Sequence, residues 1–434
     1  MSSRPLPQIK TDVRNVDKKF SVHRSGGVTA EAFFGRLSLR GVHLISCLLM
    51  LSTLAVSTSI HAYHPKAGKT DYTHYPQGGG LFVSATFAPD GRLWRIVPEK
   101  WHIYVDYSTD LGKTFSAPVR INKESQRIKV SGENRPGIAV DHSGRIFVIY
   151  AAEGIQPIAL YFSSSTDNGR SFSTPRALSD QASEANSFEG RLILNASGQA
   201  HIFWLDERDR TDWRQPGNSI YYTTIGGQNS LNFANRKLSD NLCECCRIGA
   251  SFDNNAQPVV LARLIYSGDI RDHALLRTQT DGKDPQSRRV TFDQWEIKGC
   301  PEHGPTISIS EDGRHHIAWF TQGKVRQGLF YAYSSDRGES FSEPLLFGAP
   351  DKLPSHPDIM AQGKDVILTW IEYDGSRTQL MVMRSPDGGQ TWSPAKSIAQ
   401  SSSRTDFPFL LKNPQGIFVS WNSKNEGYRL ILLD

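Results

Sequence analysis

The sequence predicts an all-β fold assembled from one repeated antiparallel module, and two observations predict it. Seven times the chain writes an apolar strand, a turn built on Gly, Asn or Asp, and a second apolar strand. The turns are APDGR (88–92), DHSGR (141–145), NASGQ (195–199), DNNAQ (253–257), EDGR (311–314), QGKD (362–365) and NPQG (413–416). They recur at a spacing of about 50 to 60 residues, the mark of a repeat architecture. The second observation is an octet that closes four of these modules. Ser108-Thr109-Asp110-Leu111-Gly112-Lys113-Thr114-Phe115 returns at Ser165–Phe172, Ser334–Phe341 and Ser385–Trp392.

Each element follows from its residues. The strand after each turn is rich in β-branched and aromatic residues (LWRIV, IFVIY, HIFWL, VVLAR, HIAWF, VILTW, IFVSW), and such runs separated by Gly-containing turns are β-hairpins. A third strand follows and leads into the octet. There the Asp carboxylate accepts bonds from the turn's own amides, Gly supplies a positive φ, and the aromatic plugs the gap to the next sheet. Gly112, Gly169, Gly338 and Gly389 are therefore expected at φ > 0, and the four octet Asp residues are read as structural.

The octets match S-x-D-x-G-x-[ST]-[FW], the Asp box of the sialidase and BNR-repeat families, and from about Tyr75 to Asp434 the chain resembles a sialidase-superfamily β-propeller. The resemblance implies four-stranded blades. Seven modules are counted here, against six blades in the best-known members. Modules three and four carry only TTIGGQNSLNF and TQTDGKD where a box is expected. The last module stops after RLILLD, so a stretch near residues 66–80 is expected to supply its missing edge strand and close the ring.

Length and charge bound the rest. Of 434 residues with a formal charge of +5, residues 1–40 hold eight Lys/Arg against three Asp/Glu and residues 41–62 hold none, which leaves 41 of each sign and a neutral body. No basic cluster is present to drive counterion release, so nucleic-acid binding is set aside. The uncharged run GVHLISCLLMLSTLAVSTSIHA after Arg36 and Arg40 reads as a signal peptide or an uncleaved membrane anchor. The expected organisation is a basic region 1–40, an export segment 41–62, a linker 63–74 and a propeller 75–434, exported to the periplasm or beyond and monomeric.

Blade connections alternate between two faces. The first-to-second-strand turns share one face with the Asp boxes, so a central site is built on the other. Arg135, Glu189, Arg247, Cys300 to His303, His356 and Asp406 precede first strands there. On the same side Glu153, Asp206, Glu207, Arg208, Arg271, Asp272 and Glu372 follow second strands. No phosphate loop, HExxH motif, nucleophile elbow or dinucleotide fingerprint appears.

The cysteines are the sharpest feature. Cys47 falls in the export segment; Cys243, Cys245 and Cys246 stand in CECCR and Cys300 in GCPEHGP, the connections entering adjacent modules. Topology predicts that Cys300 lies near at least one of the other three. One reading is a structural bridge from Cys300 to Cys243, Cys245 or Cys246. The other is a soft-metal or redox site, with the four thiols and His303 suited to Cu(I) or Zn(II). CECCRIGAS, SGDIRDHALLRTQ and QWEIKGCPEHGP together are similar to a Cys-containing branch of sialidase-like proteins.

What the sialidase resemblance implies for chemistry is a three-arginine carboxylate clamp, a Tyr nucleophile with a Glu partner and an Asp acid/base. Arg135, Arg247 and Arg271 are the candidates for the clamp, with Asp272 as acid, Glu189 or Glu372 as partner and Tyr266 or Tyr373 as nucleophile. The family's F/Y-R-I-P motif is absent; Trp94-Arg95-Ile96-Val97-Pro98 sits on a second strand, so Arg95 is read as a blade residue. The preferred function is binding of a soft metal or a small anionic ligand at a Cys/His/Arg-lined centre. Exo-α-sialidase action on terminal sialic acid is the alternative, and a non-catalytic scaffold is third.

Overall fold

The computed structural model describes residues 80–433, apart from 154–156, 183, 213, 215, 227–232 and 279–284. The regions 1–40, 41–62 and 63–74 and the expected closing strand before residue 80 lie outside the described residues.

The described strands fall into antiparallel sheets in the order of the repeats. The first holds Ser84–Phe87, Leu93–Pro98, Ile103–Ser108 and Val119–Arg120. The second holds Gly137–Val140, Ile146–Glu153, Ile158–Ser165 and Arg176–Ala177, with Arg127–Ile128 also paired to its second strand. Ser187–Leu194, Ala200–Asp206, Asn218–Ile225 and Arg236–Leu242 form the third; Gly249–Phe252, Pro258–Tyr266, Ile270–Arg277 and Gln286–Arg289 form the fourth. A single pair, Leu242 with Leu264, links those two. The fifth is Thr306–Ile309, His315–Gln322, Gln327–Ser334 and Leu345–Phe347, and the sixth is Ser355–Gln362, Asp365–Tyr373, Thr378–Ser385 and Lys396–Ser401. The seventh has three described strands, Phe409–Asn413, Gly416–Ser423 and Gly427–Leu433.

Each sheet's first strand touches the first strand of the next, and the seventh touches the first, so these strands form a closed circuit around a central opening. Closure is polar. The buried Asp406 carboxylate, just before the seventh sheet, accepts from Phe82 N at 2.7 Å and Val83 N at 3.1 Å. Second strands are buried on both faces, as IFVIYAAE and AHIFWLD show, because each sheet is covered by a neighbour on either side. Of their buried tryptophans, Trp204, Trp319, Trp370 and Trp421 each find an indole N–H acceptor, respectively Asp206, Asp293, Glu372 and the Asp406 carbonyl, whereas Trp94 in the first sheet has none. A buried indole usually takes such a partner, and here Asp206 and Glu372 serve as indole acceptors within the blades.

The Asp boxes repeat one hydrogen-bond pattern. In the first, Gly112 N donates to Ser108 Oγ (2.8 Å), Ser108 Oγ to Asp110 (2.7 Å), and Thr114 N and Oγ1 to the two oxygens of Asp110 (2.9 and 2.6 Å). Asp167, Asp336 and Asp387 are held alike. Donation from Thr114 holds Asp110 down at about 2. All four glycines take φ between +77 and +88. Their surroundings differ. A Cβ on Gly112 would meet Leu93 at an ordinary 3.5 Å, whereas one on Gly389 would overlap the Tyr331 hydroxyl. Gly112→Ala should therefore cost only the backbone strain, about 1–3 kcal/mol, and Gly389→Ala clearly more. Urea midpoints of the two variants check this ordering; equal losses would contradict it.

Arg92 reaches Asn168 of the next module's box, and Arg314 donates to Gly388 O at 2.7 Å. These bonds put first-to-second-strand turns and boxes on one face, leaving the other face for the entrances of the first strands. Arg95 is the expected blade residue: it pairs with Asp106 at 2.9 and 2.6 Å beneath the Phe115 ring.

Candidate functional site

The entrances of three inner strands carry polar pairs two residues apart: Glu133 and Arg135, Glu189 and Arg191, His356 and Asp358. The first pair lies on a bend just ahead of its strand. Two of the entrances are also bent. The register slips between Phe188 and Arg191 and between Ser355 and Asp358, and Glu189 and His356 take φ of +52 and +51. Bulges of this sort re-aim side chains beside sites. Glu133, Arg135, Glu189, Arg191, Arg247 and Asp358, together with Phe407, line one central cavity of about 260 Å³.

Most of its charges are spoken for. Glu133 accepts from Arg247 N and Nη1, both at 2.9 Å, and from Gly304 N at 2.6 Å, and lies 3.3 Å from His356 Nδ1. Burial alone would raise its carboxyl, but the Arg247 charge and these contacts more than reverse that and hold it well below the usual range. Asp358 accepts from Thr306 Oγ1 and Leu410 N, both at 2.8 Å. Arg135 donates to Phe407 O at 2.9 Å and stands 3.9 Å from Asp406. Arg191 differs: among the described residues it makes no ion pair or hydrogen bond. Its side chain is open to the water of the cavity, and the protein packed around that cavity lowers its pKa.

Glu189 is the opposite of Glu133. Both of its oxygens are buried without a partner, and only its backbone N is engaged, by Asn134 Oδ1 at 2.9 Å. Burial first, then the neighbouring Glu133 charge, pushes its carboxyl well above the ordinary value. Two carboxyls in one cavity are thus shifted in opposite directions, Glu133 down and Glu189 up.

The sulfurs gather beside this cavity. Cys245 and Cys300 form a disulfide with Cα atoms 6.1 Å apart, and Cys243 and Cys246 are buried free thiols with sulfurs 3.5 Å apart. The Sγ atoms of Cys243, Cys246 and Cys300 all lie within 4.8 Å of one another. Burial would raise the Cys243 thiol, but donation from Cys246 and the Arg271 guanidinium at 3.2 Å bring it below its usual value; Cys246, buried and donating, is raised.

The sequence-based candidates therefore divide. Arg135, Arg247 and Glu189 meet at the cavity. Arg271 does not: it is buried against Cys243 Sγ, Glu244 (2.9 Å) and Ile297 O (3.1 Å). Asp272 is buried within the fourth blade, bonded by Arg289 and by Asp293 N at 3.2 Å. Both sit on a third strand, so their charges serve the blade and its connection. His303 also departs from the expected thiol site. Its ring lies between Phe320 (4.2 Å) and His356 (4.4 Å), where burial keeps it neutral. Tyr373 is exposed, and Tyr266 lies under the Arg289 guanidinium. Glu133, Arg191 and Asp358 escaped the sequence reading, because bends and bulges at these entrances break the simple alternation that would have found them.

No protein-family profile and no curated protein sequence matches the chain. Solved structures do. An ulvan lyase, described as a new family of polysaccharide lyase and bound to a [GlcA(1-4)Rha3S] glycan, is 13% identical with a TM-score of 0.53, covering 82% of this chain and 95% of its own. A protein of unknown function from Dyadobacter fermentans is 12% identical with a TM-score of 0.50, covering 82% and 98%. The Hadza microbial sialidase is 11% identical with a TM-score of 0.47, covering 80% and 72%. The fold is a β-propeller. At these identities the likeness extends to the propeller's architecture, and the side chains of the central cavity have to be read on their own terms.

Proposed function

We propose that the central cavity of this propeller binds a small carboxylate-bearing sugar, the anionic-ligand reading of the sequence. The observation that carries it is Arg191, an unpaired guanidinium open to the cavity that Arg135 and Arg247 also line. A planar fork of donors fits a carboxylate bidentately, and Arg191 has its donors to spare. The glucuronate-containing glycan named with the ulvan lyase is a ligand of the same charge class on the same fold. The clamp inferred here uses Arg191 in place of Arg271. A tyrosine-nucleophile route has no support: among the described residues lining the cavity none is a tyrosine. We also infer an exported protein, since a disulfide persists in oxidising compartments and the run 41–62 reads as an export segment.

Isothermal titration with methyl glucuronide, sialic acid and methyl glucoside tests this. An acidic sugar should bind and the neutral one should not, and Arg191→Gln should weaken binding about 10- to 100-fold, the value of a charged hydrogen bond. An aryl sialoside should not be turned over. Equal binding of neutral and acidic sugars, or an unaffected Arg191→Gln, overturns the assignment.

A further inference from the structure

Four sulfurs meet where a structural bridge needs two. Cys245–Cys300 already joins the two connections, so Cys243 and Cys246 add nothing to the staple, yet both are buried and face each other at 3.5 Å. A metal ion about 2.3 Å from each of four tetrahedral sulfurs holds them roughly 3.8 Å apart, and the spacing of Cys243, Cys246 and Cys300 is already of that order. Cys243 and Cys246 are also separated by two residues, the spacing of a metal-binding knuckle.

The charge around the sulfurs points the same way. Arg263 is wholly buried, and its guanidinium donates only to carbonyls: His303 O and Phe320 O, both at 2.8 Å, and Arg271 O at 3.3 Å. Among the described residues no carboxylate pairs with it. Its own carbonyl accepts from Cys243 N at 2.9 Å, which ties it to the cysteine connection. Arg271 lies on the other side, with Nη1 at 3.2 Å from Cys243 Sγ and shared with the half-buried Glu244. A buried unpaired guanidinium is costly. Four thiolates around a divalent ion carry a net charge of −2 and would supply the missing counter-charge. His303 takes no part, being stacked on His356.

We propose that the reduced protein holds one thiophilic d¹⁰ ion, Zn(II) or Cu(I), between Cys243, Cys245, Cys246 and Cys300. Opening Cys245–Cys300 takes two electrons, supplied in the test by one equivalent of a phosphine, and two protons from a water molecule, whose oxygen leaves in the phosphine oxide. The ion then displaces the thiol protons. This site is independent of the sugar-binding reading, since none of its ligands lines the cavity.

The experiment uses the full chain, reduced with the phosphine under argon, incubated with Zn(II) or Cu(I) and gel-filtered. One ion per chain should be retained, and all four thiols should resist alkylation with the ion present and react without it, as counted by mass spectrometry. Retention of either ion with all four thiols protected supports the proposal, and retention with only two or three thiols protected overturns the four-sulfur assignment. Cys243→Ser and Cys246→Ser should each lose the ion while keeping the Cys245–Cys300 bridge under air. Retention of neither ion by the wild-type chain, or alkylation unchanged by the ion, overturns it, and because both readouts use the wild-type chain, misfolding of a variant does not obscure the result.

Discussion

Glu133→Ala should cost the fold about 3–5 kcal/mol at neutral pH, the loss typical of breaking a buried charge pair. One carboxylate joins three connections: it accepts from Arg247 twice, from Gly304 N and lies against His356, so it ties the second, fourth, fifth and sixth modules across the central opening. Removing it leaves Arg247 with only Pro357 O and leaves the Gly304 amide unsatisfied. The pH dependence fixes the cause. The folded carboxyl is held below its ordinary value of 4.5, so the stabilisation is fully present above that pH and is lost as pH falls below it. Urea unfolding of wild type and variant should differ most at pH 6–7 and converge in acid. A difference that stays under about 1 kcal/mol at pH 7 would show that the ring does not depend on this network.

The fold was legible because its signals are local. An Asp box is one octet whose serine, aspartate and glycine bond among themselves, so four copies report four turns without any knowledge of their neighbours. The proximity of Cys300 to Cys245 was legible for a similar reason: both sit on connections entering adjacent modules, and strand order brings adjacent connections together. The cavity was harder to read because its members come from connections far apart in sequence, and only the inner strand of each blade reaches it. Arg271 looked equivalent to Arg247 by face, but a third strand stands away from the axis, and its guanidinium turns to the sulfurs. Arg191 lies on an inner strand and was passed over because it follows a bulge, where simple alternation from the preceding apolar residues fails. The bulge itself, a glutamate at φ +52 before Gly190, has no unambiguous trace in sequence.

Glu189→Gln should make the protein more stable at neutral pH, an unusual sign for a change at a buried site. Gln keeps the shape and needs no proton, whereas the wild-type carboxyl, with both oxygens buried and unpartnered, must stay protonated or ionise without compensation. Its folded pKa lies well above the ordinary 4.5, so the native state holds a proton that the unfolded chain releases as pH rises past that value. Stability therefore falls with increasing pH, by about 1.4 kcal/mol per unit, until the native carboxyl itself ionises. Near pH 4 wild type and Glu189→Gln should be equally stable, and by pH 7 the variant should unfold at clearly higher urea. A gap independent of pH would trace the effect to packing or to the left-handed backbone and would remove the case for a protonated Glu189. With the predicted slope, the wild-type residue gives up stability as pH rises to neutrality, in a left-handed backbone conformation, at the wall of the cavity that Arg191 lines. Packing offers no reason to keep a carboxyl there.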